Sequence, residues 1–418
     1  MDWPESLDDA PLGDGKRATV HDRPHSVAEL REIVVRRAAE GLAIYPQGGR
    51  TALDYGGIPR RPGVALDISA LNTVVDYPAA DMTVTICAGI TLSKLQAVLD
   101  TEGQFLPLDA PFPAVATLGG IYATNSGGPR RFGWGRPRDL IIGVSFVTAD
   151  GREIKGGGRV VKNVAGYDFP KLLTGSMGTL GIITQMTLKT RPKPGASALV
   201  TVSFSEPGEL VTAVASLNTS ATRPVAIEVL NRLGSQAITP CIGKGPWQVV
   251  VGFEDNLSSV DWQVERLIAE WNRSRSDCAI FDGVNSHDLW QSLTGFAALD
   301  TGGPVSITAS LPRSKALTFA LGLDSEIWSV KVQPASGIVV AHSALDLPEE
   351  IAVAAISELR SQVVAAAGGL VVSRCPTAWK DRIQVWGERR GDWAIMERIK
   401  AALDPAEVLN PGRFVGTI

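Results

Sequence analysis

LAIYPQGGRTALDYGGIP, residues 42–59, takes an apolar run into a proline, two adjacent glycines, an arginine and a threonine, with a second glycine pair behind. Glycine has no Cβ, so such a loop lets backbone N–H groups approach an anion closely. The loop lacks the lysine and serine or threonine of a P-loop, and no G-x-G-x-x-G opens a helix here. The stretch therefore predicts an anion-binding loop outside both of those nucleotide-binding classes.

The overall composition is that of a globular protein with a small net charge. The chain has 418 residues, of which 44% are hydrophobic and 20% charged, and its net charge is −4. The length predicts roughly two to three domains. One basic cluster (Arg130, Arg131, Arg136 and Arg138) is too local to indicate a nucleic-acid surface. We therefore expect no nucleic-acid partner.

The cysteines and the N-terminal sequence indicate a location and exclude several metal centres. The four cysteines are far apart and form no C-x-x-C, which argues against a disulfide framework, an iron–sulfur cluster and a structural zinc site. The N-terminus is acidic and polar, without the pattern of a signal peptide. No apolar stretch reaches the roughly 18 residues of a transmembrane helix. We expect a cytoplasmic protein without a bound metal or a transmembrane segment.

Local patterns predict strands and helices around the glycine-rich loops. Ser26 and Glu29 form a capping-box pattern at the start of an amphipathic helix, which Gly41 ends before the strand LAIYP. Asp150-Gly151 is typical of a hairpin turn. The G-x-x-G-x-x-G of residues 175–181 precedes a predicted strand instead of a helix, so it does not indicate a Rossmann fingerprint.

The sequence pattern changes after RPKPG, residues 191–195, and this change indicates that the segment is a domain linker. Beyond it, short β-rich runs alternate with helical patterns, one of which carries Val264, Leu267, Ile268 and Trp271 on one face. The alternation predicts an α+β layer built on a single sheet.

The polar residues of the glycine-rich loops suit a pyrophosphate. Backbone N–H and hydroxyl donors come from Gly48, Gly49, Thr51, Asn125, Ser126, Gly127 and Gly128. Arg131 could add positive charge, although a solvated surface arginine explains it as well. Each loop alone could be a tight turn, since glycine is common there. Several such loops together favour a backbone-lined site for a long anionic ligand.

Five segments resemble one family of flavoproteins: YPQGGRTAL, LGGIYATNSGGPRR, DLIIGVSFVTADGREI, KNVAGYDFPKLLTGSMGTLGIIT and LNPGR. They are similar to the FAD-binding flavoproteins of the vanillyl-alcohol oxidase/para-cresol methylhydroxylase (PCMH) type. Within that group they look most like the FAD-binding subunits of glycolate oxidase complexes. The resemblance runs from about residue 20 to 195 and returns at the tail, roughly half of the chain.

The resemblance implies an α+β fold with a two-subdomain FAD-binding PCMH-type domain and an α+β cap over the flavin. The implied domains are a polar extension (1–19), the FAD domain (20–195), the cap (196–365) and a C-terminal segment returning to the FAD domain (366–418). The implied flavin contacts come from four segments. They are Pro46, Gln47, Gly48, Gly49, Arg50 and Thr51; Gly119, Gly120, Thr124, Asn125, Ser126, Gly127, Gly128 and Arg131; Gly178, Thr179, Gly181 and Ile182; and Asn410, Pro411, Gly412 and Arg413.

The histidines depart from what relatives of this type carry. Some relatives attach flavin through a loop histidine or cysteine; the first two loops here contain neither, so we expect non-covalent FAD. Relatives that oxidise 2-hydroxy acids often carry a metal-binding histidine segment in the cap, where this chain keeps only His342, too little for a metal site. His287 is a weak candidate base. His21 and His25 are expected at the surface.

The resemblance therefore implies a division of labour. A sister flavoprotein would oxidise glycolate to glyoxylate, an iron–sulfur subunit would carry electrons onward, and this chain would hold a second FAD. Any attachment to the inner membrane would be made through those partners. One alternative is a self-sufficient FAD-dependent 2-hydroxy-acid dehydrogenase, whose substrate carboxylate could be held by Arg313, Arg374, Lys380 or Arg382. A second alternative is an assembly scaffold that has lost its flavin.

Overall fold

The computed structural model describes residues 10–158, 166–243 and 245–418. They divide into two compact units. Unit 1 comprises residues 10–127, 135–158, 166–193 and 388–418, and unit 2 comprises residues 128–134, 194–243 and 245–387. Residues 1–9 of the predicted extension and residues 162–165 of the KNVAGYD segment lie outside the described part.

The strands and helices are numbered in chain order. The strands are β1 (Pro11–Gly13), β2 (Lys16–Arg17), β3 (Val20–Asp22), β4 (Ala43–Gln47), β5 (Gly63–Asp67), β6 (Val74–Asp76), β7 (Thr83–Cys87), β8 (Gln104–Phe105), β9 (Ile141–Val147), β10 (Glu153–Gly157), β11 (Ile182–Lys189), β12 (Arg191–Pro192), β13 (Ala196–Phe204), β14 (Ala226–Asn231), β15 (Trp247–Asp255), β16 (Cys278–Asp282), β17 (Ser306–Ser310), β18 (Trp328–Gln333), β19 (Ile338–Ser343) and β20 (Gly369–Arg374). The α-helices are α1 (Val27–Ala39), α2 (Leu92–Asp100), α3 (Leu118–Thr124), α4 (Arg131–Trp134), α5 (Pro137–Leu140), α6 (Phe169–Leu173), α7 (Pro207–Ser216), α8 (Arg232–Gln236), α9 (Leu257–Glu270), α10 (Gly283–Gly295), α11 (Arg313–Leu321), α12 (Glu349–Ala365), α13 (Lys380–Ile383) and α14 (Trp393–Leu403).

A three-stranded parallel sheet in unit 1, in the order β3-β5-β4, delivers the first glycine-rich loop. Helix α1 connects β3 to β4, as a parallel pair of strands requires a crossover. Ser26 caps α1 by accepting a hydrogen bond from the N–H of Glu29 at 3.1 Å, as predicted. The Glu29 carboxylate accepts from the N–H of His25 instead of Ser26.

A five-stranded antiparallel sheet, in the order β10-β9-β11-β7-β6, forms the second layer of unit 1. The predicted hairpin at Asp150-Gly151 joins β9 to β10. The segment 175–181 precedes strand β11, which confirms the prediction that this glycine motif opens no helix. Leu30, Ile86, Tyr122 and Phe146 belong to the core that both sheets share.

The residues before 20 are not only a polar extension. Residues 11–13 and 16–17 form the small β1-β2 sheet, and Ala10, Leu12 and Ala18 are buried in a cluster with Tyr45. Asp14 is buried as well. The prediction of an extension up to residue 19 is wrong for residues 10–19, because their apolar side chains pack against β4 and β5.

Unit 2 is built on one eight-stranded antiparallel sheet, in the order β16-β13-β15-β14-β18-β19-β17-β20. Its larger core lies under α9, α11 and α12 and contains Val264, Leu317 and Ile356. A smaller core contains Leu289 and Trp290 of α10. This single sheet with helices packed on it agrees with the α+β layer that the sequence predicts.

The boundary at residue 365 is wrong. Strand β20 pairs with β17 and closes one edge of the unit 2 sheet, so the chain leaves this unit only after Gly387. A segment of unit 2 also comes from far upstream, since residues 128–134 cluster with it. Within the described residues, no helix is both long and apolar enough to cross a membrane.

Candidate functional site

The first glycine-rich loop leaves strand β4 and packs against the segment before α3. A Cβ on Gly48 would lie 2.0 Å from Thr117 Oγ1, and one on Gly49 would lie 1.9 Å from the carbonyl oxygen of Val115. Both distances are far inside van der Waals contact, so only glycine fits. The glycine pair is thus required by packing between two loops, which the sequence did not reveal.

The backbone donors of this loop are available to a ligand. Among the contacts of the described residues, the N–H groups of Gly48, Gly49 and Thr51 donate no hydrogen bond. Gly48 and Gly49 are half-buried and Thr51 is exposed. Unsatisfied half-buried amides favour an acceptor, so the loop suits a phosphate or diphosphate.

Helix α3 uses its own first amides within the protein. The N–H of Gly119 donates to the carbonyl of Ala88 at 2.8 Å, and that of Gly120 donates to Thr117 Oγ1 at 3.4 Å. Thr124 Oγ1 donates to the carbonyl of Gly120 at 2.9 Å. The predicted residues Gly119, Gly120 and Thr124 therefore lie beside the first loop, but these donors already have partners.

The end of α3 provides further available amides. Asn125 ends the helix in the left-handed conformation, with φ of 54°, and the N–H of Ser126 donates to the carbonyl of Ile121. Within the described structure, the N–H groups of Gly127 and Gly128 donate no hydrogen bond. Gly127 belongs to unit 1, whereas Gly128 and Arg131 belong to unit 2.

The third glycine-rich segment joins the end of α3. The N–H of Gly175 donates to the carbonyl of Tyr122, and that of Met177 donates to the carbonyl of Ala123, both at 2.9 Å. Gly178 has φ of +67°, and Thr179 is held by two hydrogen bonds to the carbonyl of Ser176. The segment 175–179 is therefore fixed beside α3.

Gly181 and Ile182 have packing roles. A Cβ on Gly181 would lie 2.4 Å from Phe146 Cδ2, so only glycine fits at this position. Ile182 begins strand β11 and is buried. These contacts explain both residues without a ligand, and their flavin contact stays a prediction.

The C-terminal segment closes the ring of loops in unit 1. Asn410 Nδ2 donates to the carbonyl of Met177 at 2.7 Å, and the Asn410 N–H donates to the carbonyl of Ile44 in β4 at 2.9 Å. The N–H of Arg60 donates to the carbonyl of Pro411. A Cβ on Gly412 would lie 2.5 Å from the carbonyl oxygen of Ile58. Residues from each of the four predicted segments thus adjoin within unit 1.

Arg413 organises the first loop from inside. Its side chain is 5% exposed, and Nη1 donates to Asp14 Oδ2 at 2.8 Å and to the carbonyl of Gly57 at 2.6 Å. Nη2 donates to the carbonyls of Leu53 and Tyr55. Both terminal nitrogens of Arg413 therefore donate to acceptors within the protein. Arg413 thus has a structural role, which the sequence did not indicate.

Three buried polar atoms near these loops have no hydrogen-bond partner among the described residues: Gln47 Oε1, Tyr122 OH and Ser176 Oγ. Burial raises the pKa of Tyr122 far above its usual value, so its hydroxyl stays neutral. The amides of residues 48, 49, 51 and 127 are donors that the described part of the protein leaves without an acceptor, whereas Gln47 Oε1 is itself an acceptor. The residues fit the acceptor-rich diphosphate of FAD.

A buried ion pair, missed by the sequence analysis, fixes two of the loops. Lys400 Nζ donates to Asp404 Oδ2 at 2.6 Å, to the carbonyl of Thr179 at 2.8 Å and to that of Leu409 at 2.9 Å. Asp404 accepts from the N–H groups of Val408 and Leu409. In the sequence, this ion pair is indicated only by the i, i+4 spacing of a lysine and an aspartate shortly before LNPGR.

His342 is a structural residue of the unit 2 sheet. It is fully buried, with Nδ1 2.7 Å from Ser306 Oγ and Nε2 2.7 Å from the carbonyl oxygen of Phe296. Burial lowers its pKa to about 4, so the ring is neutral near pH 7. Within the described chain, no group of three or more metal-ligating side chains occurs.

The other candidate base is at the surface. His287 on α10 is exposed, and its Nε2 lies 2.7 Å from Gln291 Nε2. Gln291 also lines an open cleft of about 900 Å³ in unit 2, together with Asp288 and the turn at Thr239-Pro240. The hydrogen-bond partner of His287 is thus an amide group and not a carboxylate. His25 is exposed and His21 is half-buried.

The cations considered for a substrate carboxylate differ in their surroundings. Arg374 pairs with Asp300 at 3.4 Å, and Arg382 pairs with Glu349 at 2.7 Å. Lys380 is buried, and Arg313 is exposed at the start of α11. Arg374 and Arg382 thus pair with different carboxylates.

Buried charges on one sheet face hold α10. Lys331 Nζ donates to the carbonyl of Leu293 at 2.6 Å and lies 3.6 Å from Glu228 Oε2. Glu228 Oε1 accepts from Gln333 Nε2 at 2.8 Å. Lys331 and His342 thus bind carbonyls near the end of α10, where positive charge and N–H donors are favourable.

Comparisons with known proteins agree with this architecture. A family described as "FAD binding domain" matches residues 18–157, and one described as "FAD linked oxidases, C-terminal domain" matches residues 382–414. Among solved structures, p-cresol methylhydroxylase with substrate bound superposes with a TM-score of 0.70 at 19% identity, covering 94% of this chain and 88% of the other. An alkyldihydroxyacetonephosphate synthase gives a TM-score of 0.65 at 20% identity, covering 94% and 75%.

Curated relatives fall into two groups by the length they match. A D-2-hydroxyglutarate dehydrogenase of Xanthomonas citri is 27% identical over 94% of this chain and 88% of its own length. Glycolate oxidase subunit GlcE of Escherichia coli is 38% identical, over 32% of this chain and 39% of that subunit. Subunit GlcD of Bacillus subtilis is 32% identical, over 50% of this chain and 44% of that subunit. Both glycolate oxidase alignments thus span less than half of the relative.

These matches confirm the expected fold class and the expected cofactor. The two family matches cover the first two glycine-rich loops of unit 1, between β3 and β10, and the C-terminal segment. Residues 18–157 are similar to the FAD binding domain family, residues 382–414 are similar to the C-terminal domain of FAD linked oxidases, and the fold is that of p-cresol methylhydroxylase.

Proposed function

We propose that this chain is a flavoprotein subunit of a hetero-oligomeric oxidase or dehydrogenase for a small 2-hydroxy acid, with glycolate as the first candidate. The similarity to GlcE and GlcD supports this assignment. The catalytic step on the substrate would lie on a sister flavoprotein, and an iron–sulfur subunit would take the electrons onward. We place the complex in the cytoplasm, with any membrane attachment made by its partners.

The loops of unit 1 would hold the cofactor through the backbone. The available amides of Gly48, Gly49, Thr51 and Gly127 would donate to the diphosphate. Residues 410–413 would keep the first loop in place through Asn410 and Arg413. FAD, when bound, supplies a two-electron acceptor that can pass electrons on singly. The chain's own contribution is to bind and orient that group.

The observation that carries the subunit assignment is that neither histidine of unit 2 is placed to act as a base. His342 is buried, neutral and held by two hydrogen bonds, and His287 is exposed with the Gln291 amide as its hydrogen-bond partner. Oxidation of a 2-hydroxy acid needs a group that takes the hydroxyl proton. The candidates that the sequence offered do not supply one.

A self-sufficient dehydrogenase is the second candidate function. The similarity to the D-2-hydroxyglutarate dehydrogenase extends over nearly the whole chain, including unit 2, which favours this alternative. In that case, unit 2 would bind the substrate carboxylate with cations such as Arg374 or Arg313.

Anaerobic reduction of the isolated chain separates the two candidates. The purified chain, loaded with FAD, is mixed with glycolate, D-lactate or D-2-hydroxyglutarate while the flavin absorbance is recorded. For a subunit without its own substrate chemistry, we expect the flavin to stay oxidised until the sister subunit is added. Rapid bleaching by any of these acids without a partner refutes the subunit assignment.

We further propose that the flavin is bound non-covalently. Residues 46–59 and 118–128 contain no histidine or cysteine, the residue types that could form the bond in these loops. Acid precipitation of the holoprotein should leave the flavin in the supernatant. A yellow pellet would contradict this proposal.

A further inference from the structure

An exposed aromatic residue of unit 1, Phe112, has a backbone conformation that residues with a side chain rarely adopt. Its φ is 54°, in the left-handed region, and the residue is 53% exposed. Phe112 also precedes Pro113, and a proline favours an extended conformation of the residue before it. The left-handed conformation is unfavourable for a residue with a Cβ. Phe112 therefore departs both from the local backbone preference and from the usual burial of phenylalanine.

The fold of unit 1 maintains this conformation. The carbonyl of Phe112 accepts hydrogen bonds from the N–H of Val115 at 2.9 Å and from the N–H of Ala116 at 2.8 Å. On either side of this turn, Ala110 and Ala116 are buried in the core of unit 1. The unfavourable conformation is thus built into a turn that is anchored at both ends.

The same turn contacts the first glycine-rich loop. A Cβ on Gly49 would lie 1.9 Å from the carbonyl oxygen of Val115 and 3.2 Å from Ala116 Cα. Because Val115 and Ala116 both donate to the carbonyl of Phe112, only one hydrogen bond separates Phe112 from the residues that contact Gly49. All of these residues belong to unit 1. Phe112 therefore lies beside the loop whose amides are available to a diphosphate.

Left-handed residues other than glycine also occur at each of the four predicted flavin segments. Every segment contains or adjoins one such residue: Arg50, Asn125, Met177 and Asn410, with φ of 55°, 54°, 54° and 46°. Phe112 repeats this feature outside those segments. Residues held in unfavourable backbone conformations cluster at binding and active sites, where the surrounding structure maintains them. The turn at residues 110–116 thus shares both its backbone conformation and its location with the predicted flavin segments.

We propose that residues 110–116 form a fifth segment of the flavin site and that Phe112 stacks on one of the two planar rings of FAD. This inference rests on the proposed flavin site in unit 1. FAD carries its adenine and its isoalloxazine on opposite sides of the diphosphate, so a residue beside the diphosphate loop is near the start of both arms. An aromatic side chain stacks on such rings and buries apolar surface. Burial of the exposed phenyl ring by the ligand would offset the unfavourable backbone conformation.

The test compares Phe112→Gly with Met82→Gly in the full chain. Met82 is the matched control because it is also exposed and left-handed, with φ of 52°, but lies directly before β7. The dissociation constant of FAD is measured by flavin fluorescence, and the unfolding temperature is measured without FAD. We expect F112G to weaken FAD binding about tenfold through the loss of stacking. M82G should bind FAD like the wild type.

The unfolding temperature without FAD separates a loss of binding from a loss of structure. F112G should unfold at or above the temperature of the wild type, because glycine adopts the left-handed conformation without a steric penalty. Two variants that keep a Cβ isolate the ring itself. Phe112→Tyr retains the ring and should bind FAD like the wild type. Phe112→Leu retains an apolar side chain without a ring and should bind FAD more weakly.

Binding of ADP and of FMN to the wild type and to F112G identifies the ring that Phe112 contacts. ADP contains the adenine and the diphosphate, whereas FMN contains the isoalloxazine. A loss of affinity for ADP assigns the contact to adenine, and a loss of affinity for FMN assigns it to the isoalloxazine.

The outcomes for this inference and for the flavin site are separable. A wild-type chain that takes up no FAD would defeat the proposed flavin site itself. A wild type that binds FAD, together with F112G and F112L variants of unchanged affinity, would overturn only the role of Phe112. Weaker FAD binding by F112G and F112L, with F112Y and M82G like the wild type, would support it. Should F112G unfold at a lower temperature, the comparison of F112Y with F112L decides.

Discussion

Replacing Arg413 with methionine distinguishes a residue that organises the flavin loop from one that contacts the flavin. The guanidinium is 5% exposed and donates to Asp14 and to three backbone carbonyls of residues 53–57. Methionine fills similar space but leaves the buried Asp14 carboxylate without its cation. Removing one partner of a buried ion pair costs about 3–5 kcal/mol.

For a unit of this size, about 4 kcal/mol lowers the unfolding temperature by roughly 8–16 °C. The matched control is Arg389→Met, because Arg389 pairs with Glu397 at the surface of the same unit. An exposed pair contributes about 1 kcal/mol or less, so that variant should unfold within roughly 4 °C of the wild type. Thermal unfolding is measured without FAD, since ligand binding shifts the transition by mass action.

FAD affinity, measured on the same three proteins, completes the comparison. We expect R413M to lose both stability and FAD affinity, because the loop that carries Gly48 and Gly49 loses its internal support. An R413M protein that unfolds like the wild type but no longer binds FAD would refute this reasoning, since it would make Arg413 a direct ligand.

Two other predictions address His342 and the glycine pair. His342 has a pKa of about 4 when folded and about 6.5 when unfolded, so the unfolded chain binds the extra proton as the pH falls. The free energy of unfolding of the wild type should therefore fall by up to about 3 kcal/mol between pH 6.5 and 4. The unfolding temperature of H342N should depend less steeply on pH. Equal slopes for the two proteins would contradict the structural role of His342. Gly48→Ala places a methyl group 2.0 Å from Thr117 Oγ1 and should weaken FAD binding at least about tenfold. The control is Gly208→Ala, because Gly208 lies in open space on α7, and this variant should bind FAD like the wild type. If Gly48→Ala also bound FAD like the wild type, the result would argue against the packing account.

Much of the local structure could be predicted because its causes are local. The cap at Ser26, the hairpin at Asp150-Gly151 and the strand after residue 181 each follow from a few neighbouring residues. Such features need no knowledge of the tertiary fold.

The tasks of several loop residues depend on distant partners and could not be predicted. The resemblance implied a flavin contact for Arg413, but the partners of its side chain lie about 350 to 400 residues earlier in the chain. The Cβ positions of Gly48 and Gly49 face residues 115–117, so packing contributes to their identity alongside any ligand. His342 looked like the remnant of a metal site and instead binds a carbonyl near the end of α10.

Residues 128–134 show the same limit at the level of domains. Arg130 and Arg131 lie in a basic run that the sequence places in the flavin domain, yet residues 128–134 cluster with unit 2. The responsible partner, Glu254, is 124 residues away in the chain and is flanked by ordinary strand residues. No spacing rule connects such a pair.

A crystal structure of the chain with FAD is the most direct test of the central claim that backbone amides of unit 1 bind the cofactor's diphosphate. We expect phosphate oxygens within about 3 Å of the nitrogens of Gly48, Gly49 and Gly127. A diphosphate bound elsewhere, with those three amides facing solvent, would contradict the account.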